Sequence, residues 1–343
     1  MYYSISLKNY IYASFFSLIS LVLLLVSGKI VGEHFYYDSI TLKEFLNVPI
    51  KDNFAIITES SYAATAFVYQ LVGIDGSISN LTQLSLSWIM YLIVIFSYFS
   101  GKTSYIERIH YFAFLALITL FYSVYIGQIS KETLVVVMMW LIFRSGKINL
   151  LLATFLITVY GLYIREYWLL IGVLFLINYF ILTKTEKINL IKLFIINFFG
   201  IFLMSVIHII LFNDNLTSYR YQVNEYRMFT GDVNTILLNP FTTINPIHDV
   251  GNFLFGLGNI FIPLDGLNSM NELVYYIWIV IVISVLYSKV KKVVNRNHLI
   301  APFALLVSFV FVQAIFEPDM GSILKHQIGL FPVFLSILSI EEG

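Results

Sequence analysis

Ten runs of eleven to twenty-one mostly apolar residues, parted by charged segments of which two are long, make up nearly half of this 343-residue chain. They fall at 10–30, 81–99, 111–126, 133–143, 148–164, 168–182, 193–212, 273–287, 299–316 and 327–340. Hydrocarbon offers a backbone no hydrogen-bond partners, so a membrane segment must be a helix or part of a closed barrel. Crossing the core as a helix takes about 20 apolar residues, with a range of about 17–25. Continuous apolar runs, without strict alternation, point to helices. The fold expected is an all-α polytopic transmembrane bundle of about ten spans. Composition agrees: 59% of residues are hydrophobic and 12% charged, where soluble domains carry about 25% charged residues.

The first run follows Lys8, an arrangement shared with secretory signals. No small-x-small cleavage site stands near Ser27–Gly28, so a retained first helix is expected. Orientation follows from Lys and Arg in the loops. With the N-terminus cytoplasmic, the inner segments hold twelve bases and four acids, and the outer segments eight bases and sixteen acids. Shifting the count by one helix destroys that separation, so both termini are expected inside. Residues 1–343 then make one transmembrane domain with outer-face loops near 31–80 and 213–272. Within the first loop, the apolar stretch Ser60–Val72 is too short to span and reads as an interfacial or re-entrant helix. Within the second, a helix over Leu216–Met228 would set Arg220 and Arg227 on one face, with Asp214 placed to cap it.

Some runs are too short for the bilayer. Eleven residues separate Glu132 from Arg144, about 16 Å of helix against a core about 30 Å thick. Either Tyr122–Ser130 joins this helix, or Lys131 and Glu132 lie below the outer surface. The last run is also short, which draws Lys325 and His326 inward. Ionised groups at that depth must face protein or a water-filled cavity, and a cavity open to the outer side is expected. Four polar clusters would border it: Gln128, Lys131 and Glu132 in GQISKE; Arg165 and Glu166 in YIREYW; Glu317, Asp319, Lys325 and His326 in FEPDMGSILKH; and Arg220 with Arg227. Each also has a plainer explanation. Lys131–Glu132 and Arg165–Glu166 suit helix ends snorkelling to headgroups, and Glu317–Pro318–Asp319 suits a helix stop. The two loop arginines suit solvent or lipid phosphates.

Several chemistries lack their signatures. There is no cysteine, hence no disulfide or thiol nucleophile. There is no P-loop, GxSxG or HExxH motif, and no His/Asp grouping with metal-ligand spacing. A formal net charge of zero gives no global field for nucleic acid. No cofactor is expected. What remains is a set of outer-face cations with a few carboxylates, suited to an anionic lipid-linked substrate. Arginine matches phosphate oxygens bidentately and keeps its charge. Arg165, Arg220, Arg227, Lys325 and Lys131 are the candidate diphosphate ligands, stabilising a leaving group electrostatically without metal or nucleotide. Glu317, Asp319, His326, Glu132 and Glu166 are the candidate bases for an attacking hydroxyl.

This layout, with an outer loop near 213–272, no nucleotide motif and the ending FEPDMGSILKHQIGLFPVF, resembles the O-antigen polymerase (Wzy) family. The resemblance is one of hydropathy along the chain. It implies a GT-C-like glycosyltransferase of a bacterial inner membrane. Such an enzyme polymerises undecaprenyl-diphosphate-linked repeat units on the periplasmic face, for O-antigen and lipopolysaccharide biosynthesis. It also implies the bilayer, the lipid-linked glycan and a chain-length regulator protein as partners. Arg165, Arg220 and Arg227 answer to the arginines expected at the diphosphate, although the large loop holds only two arginines and its one histidine, His248, lies beyond them. Two rivals stay open. A GT-C enzyme with a polyprenyl-phosphate sugar donor would use an acid in the first outer loop, Glu33 or Asp38. A lipid-linked oligosaccharide flippase would show internal repeats and midplane broken helices, and no repeat is evident. A membrane acyltransferase would want an inner histidine, and only His110 and His298 are there.

Overall fold

In the computed structural model, residues 7–99, 109–145, 148–185, 190–230, 236–262, 267, 269–292 and 297–340 are described. Among them all regular elements are helices, with no strand and one isolated bridge, Ile236 to Asp319. The helices are α1 (Leu7–Ile30), α2 (Tyr37–Leu46), α3 (Ile50–Ala55), α4 (Ser61–Leu71), α5 (Asn80–Phe99), α6 (Ile109–Tyr125), α7 (Lys131–Phe143) and α8 (Leu150–Tyr163), followed by α9 (Tyr167–Lys184), α10 (Leu190–Phe212), α11 (Ser218–Thr230), α12 (Pro246–Phe261), α13 (Met270–Lys292), α14 (Asn297–Phe316), α15 (Met320–Gly329) and α16 (Phe331–Leu338).

All ten apolar runs lie on helices. Six helices (α1, α5, α9, α10, α13 and α14) are long and apolar enough to cross a membrane, and up to seven if α15 and α16 count as one broken span. Helices α6, α7 and α8 have 17, 13 and 14 residues. At 1.5 Å per residue that is roughly 26, 20 and 21 Å, short of a core about 30 Å thick. The lipid-facing character shows on α10, where Ile191, Ile195, Phe199, Ile207 and Ile210 are all exposed.

The chain divides into two compact units, residues 1–169, 284–302 and 325–343, and residues 170–283 and 303–324. In the first, α1 packs on α5 and α6, and α16 packs on α7 and α5. Every residue of α16 is buried. Its Phe331 ring stacks on Tyr91 at 5.4 Å and meets Tyr122 at 5.6 Å. The outer segment folds as α2, α3 and α4 packed together, with Leu42, Leu46, Ala66, Tyr69 and Ile129 at their shared core. Helix α4 matches the stretch expected to be an interfacial helix, and Ser60 caps it by accepting from the Ala63 N–H at 3.3 Å.

Within the second unit, α9, α10 and α14 are tied by buried side chains. Asn178 and Asn197 exchange amide hydrogen bonds of 3.0 and 2.7 Å, and Asn178 also donates to Ser308 at 2.9 Å. Such reciprocal pairing satisfies polar groups that lipid would leave unmet.

One open alternative is decided and one local expectation is corrected. Tyr122–Ser130 does not join α7: α6 stops at Tyr125, and α7 starts at Lys131 after a break closed by Ser130, whose N–H donates to Thr133 Oγ1 at 3.3 Å. The last run is not one helix preceded by Lys325 and His326. Both residues lie inside α15, and α16 turns from it by 58°. The break at Leu330 precedes Pro332 in the first turn of α16, which offers no N–H to continue the α15 ladder and whose ring clashes with the carbonyl four residues back.

Candidate functional site

Glu132 sits in the first turn of α7 and its side chain is 1% exposed. A carboxylate that deep needs charged partners, and three converge on it. Arg165 Nη2 donates to Glu132 Oε1. His326 Nε2 lies 3.2 Å from that same oxygen, and Lys325 Nζ is 3.5 Å from Oε2. Lys325 also pairs with the Asp38 carboxylate from the first turn of α2.

Local sequence explains how Arg165 arrives. Helix α8 ends at Tyr163 and α9 starts at Tyr167, and the chain turns between them with the Ile164 and Arg165 N–H groups both donating to Tyr160 O. A side chain on Gly161 would stand 2.8 Å from the Leu169 side chain and 2.9 Å from its backbone nitrogen, so only glycine lets the two helices approach this closely. Tyr160 meets Trp168 edge-on at 5.3 Å and donates its hydroxyl to Lys131 O at 3.3 Å. Tyr160, Tyr167 and Trp168 thus frame the turn that carries Arg165. Its Nη1 donates to Tyr167 Oη at 3.2 Å.

The outer segment completes the cluster. Tyr62 on α4 donates to Asp38 Oδ1 at 2.5 Å. Lys131 Nζ lies over the Tyr62 ring, 3.4 Å from its centroid, and donates to Ser61 Oγ at 2.8 Å. Tyr69 donates to Ser130 O at 2.8 Å, fastening α4 to the start of α7. Burial alone would raise the Asp38 carboxyl, but the Lys325 ammonium and the hydrogen bonds from Lys325 and Tyr62 outweigh it, and the group titrates at about 2. Burial and the neighbouring Asp38 carboxylate raise the Tyr62 phenol. Among the described residues, three cations (Lys131, Arg165 and Lys325) thus stand against two carboxylates, Asp38 and Glu132, with His326 beside them.

The sequence clusters therefore regroup. Lys131, Glu132, Arg165, Lys325 and His326 come together. Glu166 does not join them: it is exposed at the α8–α9 turn. Glu317 and Asp319 belong to the second unit and are buried there. The Asp319 carboxylate accepts from the Ser322 N–H and hydroxyl, both at 2.8 Å, and so caps α15. Arg220 is fully buried, donating Nη1 to Asn239 Oδ1 at 3.2 Å and Nη2 to the Ala314 carbonyl. Gly256 makes room for it, since a Cβ there would strike the guanidinium. Burial lowers the Arg220 guanidinium to about 10, with the Glu317 and Asp249 carboxylates pulling the other way. Asp214 does not cap α11. It accepts from the adjacent Asn215 N–H, while Asp249 accepts from the Leu216 and Thr217 N–H groups. The Arg227 side chain lies outside the described residues, as do those of Glu33 and His34.

Asp38, Tyr62 and Ser61 are the cluster members that the sequence clusters missed. An acid just beyond the first span and an aromatic in an otherwise apolar stretch were the only signals. A groove of about 470 Å3 bordered by Asn47, Pro49, Gln70, Asp75 and Ser77 lies on the same outer segment, and no cluster residue lines it. Among the described residues, no three His, Asp or Glu side chains are placed to hold a metal ion. No family model matches the chain, and neither a curated protein nor a solved structure does.

Proposed function

We propose that the chain is a polysaccharide polymerase, a GT-C-like glycosyltransferase that joins undecaprenyl-diphosphate-linked repeat units at the periplasmic face of a bacterial inner membrane. In this reading it makes ten crossings, counting the short α6, α7 and α8, and both termini are cytoplasmic. Inner-loop bases and outer-loop acids support that orientation. The observation that carries the function is the convergence of Arg165, Lys325 and His326 on Glu132 at the ends of short or broken helices, with Lys131 held beside them on Ser61 and Tyr62. Cations in that setting are functional groups by default, and their excess over carboxylates favours an anionic headgroup.

In the reaction, a hydroxyl of one repeat unit attacks C1 of the sugar borne by a second. The C1–O bond to the diphosphate breaks, the bonding pair leaves with the diphosphate on its lipid, and the hydroxyl proton passes to His326. Arg165 and Lys325 stabilise the charge gained by the leaving oxygens. Glu132 orients His326 and stabilises its protonated form. Arg220, wholly inside the second unit, serves there as a packing element and not as a diphosphate contact.

One observation favours a second reading. Asp38 is an acid of the first outer segment in contact with Lys325, as a transferase with a polyprenyl-phosphate donor would have. Deleting the gene separates the two: a polymerase deletion leaves lipopolysaccharide capped with one complete repeat unit, whereas loss of a transferase leaves that unit incomplete. A surface carrying full-length polymer after deletion would refute both.

A further inference from the structure

Only one of the two carboxylates in the cluster reaches solvent. The Asp38 side chain is 29% exposed and that of Glu132 is 1% exposed. Glu132 is anchored in α7 beneath three cationic side chains. Asp38 belongs to a ten-residue helix of the outer segment and touches the cluster through Lys325 and Tyr62. Turning its short side chain outward would uncover the Lys325 ammonium and the Tyr62 hydroxyl, with the Lys131 ammonium over the same ring. It would leave Lys325 still facing Glu132, so no cation is stranded. One donor of the cluster is also unused: Arg165 Nε is buried with no hydrogen-bond partner among the described residues, as is the acceptor Glu132 Oε2.

We propose that Asp38 is a resident counter-anion, seated on Lys325 where one phosphate of a diphosphate headgroup binds, and that the ligand enters by displacing it. The inference rests on the cluster being the diphosphate site. It adds that the ligand-free site is closed by an internal anion of lower charge. A diphosphate brings more negative charge than the single carboxylate it replaces, and it has several oxygens for the donors of Lys325, Tyr62 and Arg165. Affinity is then reduced by the fraction of molecules in which Asp38 is seated. Removing its charge relieves that reduction.

The test uses the full chain in phosphatidylcholine nanodiscs, with farnesyl diphosphate and inorganic pyrophosphate titrated separately by calorimetry. Asp38→Asn keeps an oxygen for the Tyr62 hydroxyl and is expected to bind about tenfold more tightly than the wild type. Asp38→Ser is expected to shift the same way and serves where the asparagine variant does not fold. Lys325→Met in the Asp38→Asn background should remove the gain. Tightening with farnesyl diphosphate alone supports the proposal and assigns a lipid-borne headgroup. Tightening with both probes supports it and assigns the diphosphate itself. Binding that depends on Lys325 but is unchanged or weakened by Asp38→Asn and Asp38→Ser overturns the counter-anion while leaving the site. Binding of both probes that ignores Lys325→Met overturns the site itself.

Discussion

Arg165 and Glu132, 33 residues apart in sequence, share an ion pair that joins the α8–α9 turn to the first turn of α7. Arg165 also reaches Tyr167, and Glu132 also receives His326 and Lys325. The carboxylate is therefore the common counter-charge for groups delivered by two other segments, the α8–α9 turn and α15.

Removing that counter-charge should be costly. Glu132→Ala leaves Arg165 and Lys325 close together without their buried anion, and breaking a buried pair costs about 3–5 kcal/mol. A clear fall in melting temperature in detergent is expected, together with loss of polymer. Glu132→Gln keeps the shape and should melt nearer the wild type while still failing to polymerise. A Glu132→Ala protein as stable as the wild type would show that the cluster is solvated and energetically idle.

Arg165 should not tolerate lysine. Its fork serves Tyr167 through Nη1 and Glu132 through Nη2, and a single ammonium on a flexible stem cannot reproduce two divergent, planar donors. Arg165→Lys at normal protein level is expected to lower polymer formation by about tenfold or more, read as surface chain length. Full-length chains in that variant would argue that charge alone suffices.

The Asp38–Lys325 contact should impart a pH dependence in acid. Asp38 titrates at about 2 in the folded chain against 3.8 ordinarily. The carboxyl is lowered, so the stability it contributes is present above about pH 4 and is lost as pH falls through about 2. The groups facing it are Lys325, Tyr62 and Glu132. Melting temperature of the wild type minus that of Asp38→Asn should be flat above about pH 4 and shrink toward pH 2. A difference that grows on acidification would reverse the sign and remove the pairing.

Most of the helices were legible because an apolar run without alternation has the helix as its solution in lipid. The cluster was partly legible for the same reason: Lys131, Glu132, Arg165, Lys325 and His326 each interrupt or border an apolar run, where a charge is conspicuous. Their pairing was not legible, because it depends on which helix ends meet. Asp38 stood out only as one of two acids a rival transferase would use, and nothing in the sequence tied it to Lys325 before α2 placed it there. Asp319 carried a readable signal, a carboxylate three residues before Ser322 at a helix start, yet its place in a charged cluster made it look like a candidate base. Arg220 looked available in a polar loop, and its burial depends on a gap at Gly256 that nothing near residue 220 announces.

Asp249 shows how a buried acid can organise helices without any part in chemistry. From the first turn of α12 its carboxylate accepts from Ser205 Oγ at 2.6 Å, the Leu216 N–H at 2.8 Å, the Thr217 N–H at 2.9 Å and Thr217 Oγ1 at 2.6 Å. It thereby joins α10, α12 and the start of α11, and sets the position from which Arg220 enters its cradle. Each buried donor left without an acceptor costs about 1–3 kcal/mol, so Asp249→Ala should destabilise the chain by about 3 kcal/mol or more. Asp249→Asn is the sharper test. An amide keeps one acceptor oxygen but turns N–H groups toward donors, so it should be nearly as damaging as alanine. If Asp249→Asn instead melts with the wild type, the four donors are satisfied in another way and Asp249 is not what holds α11 in place.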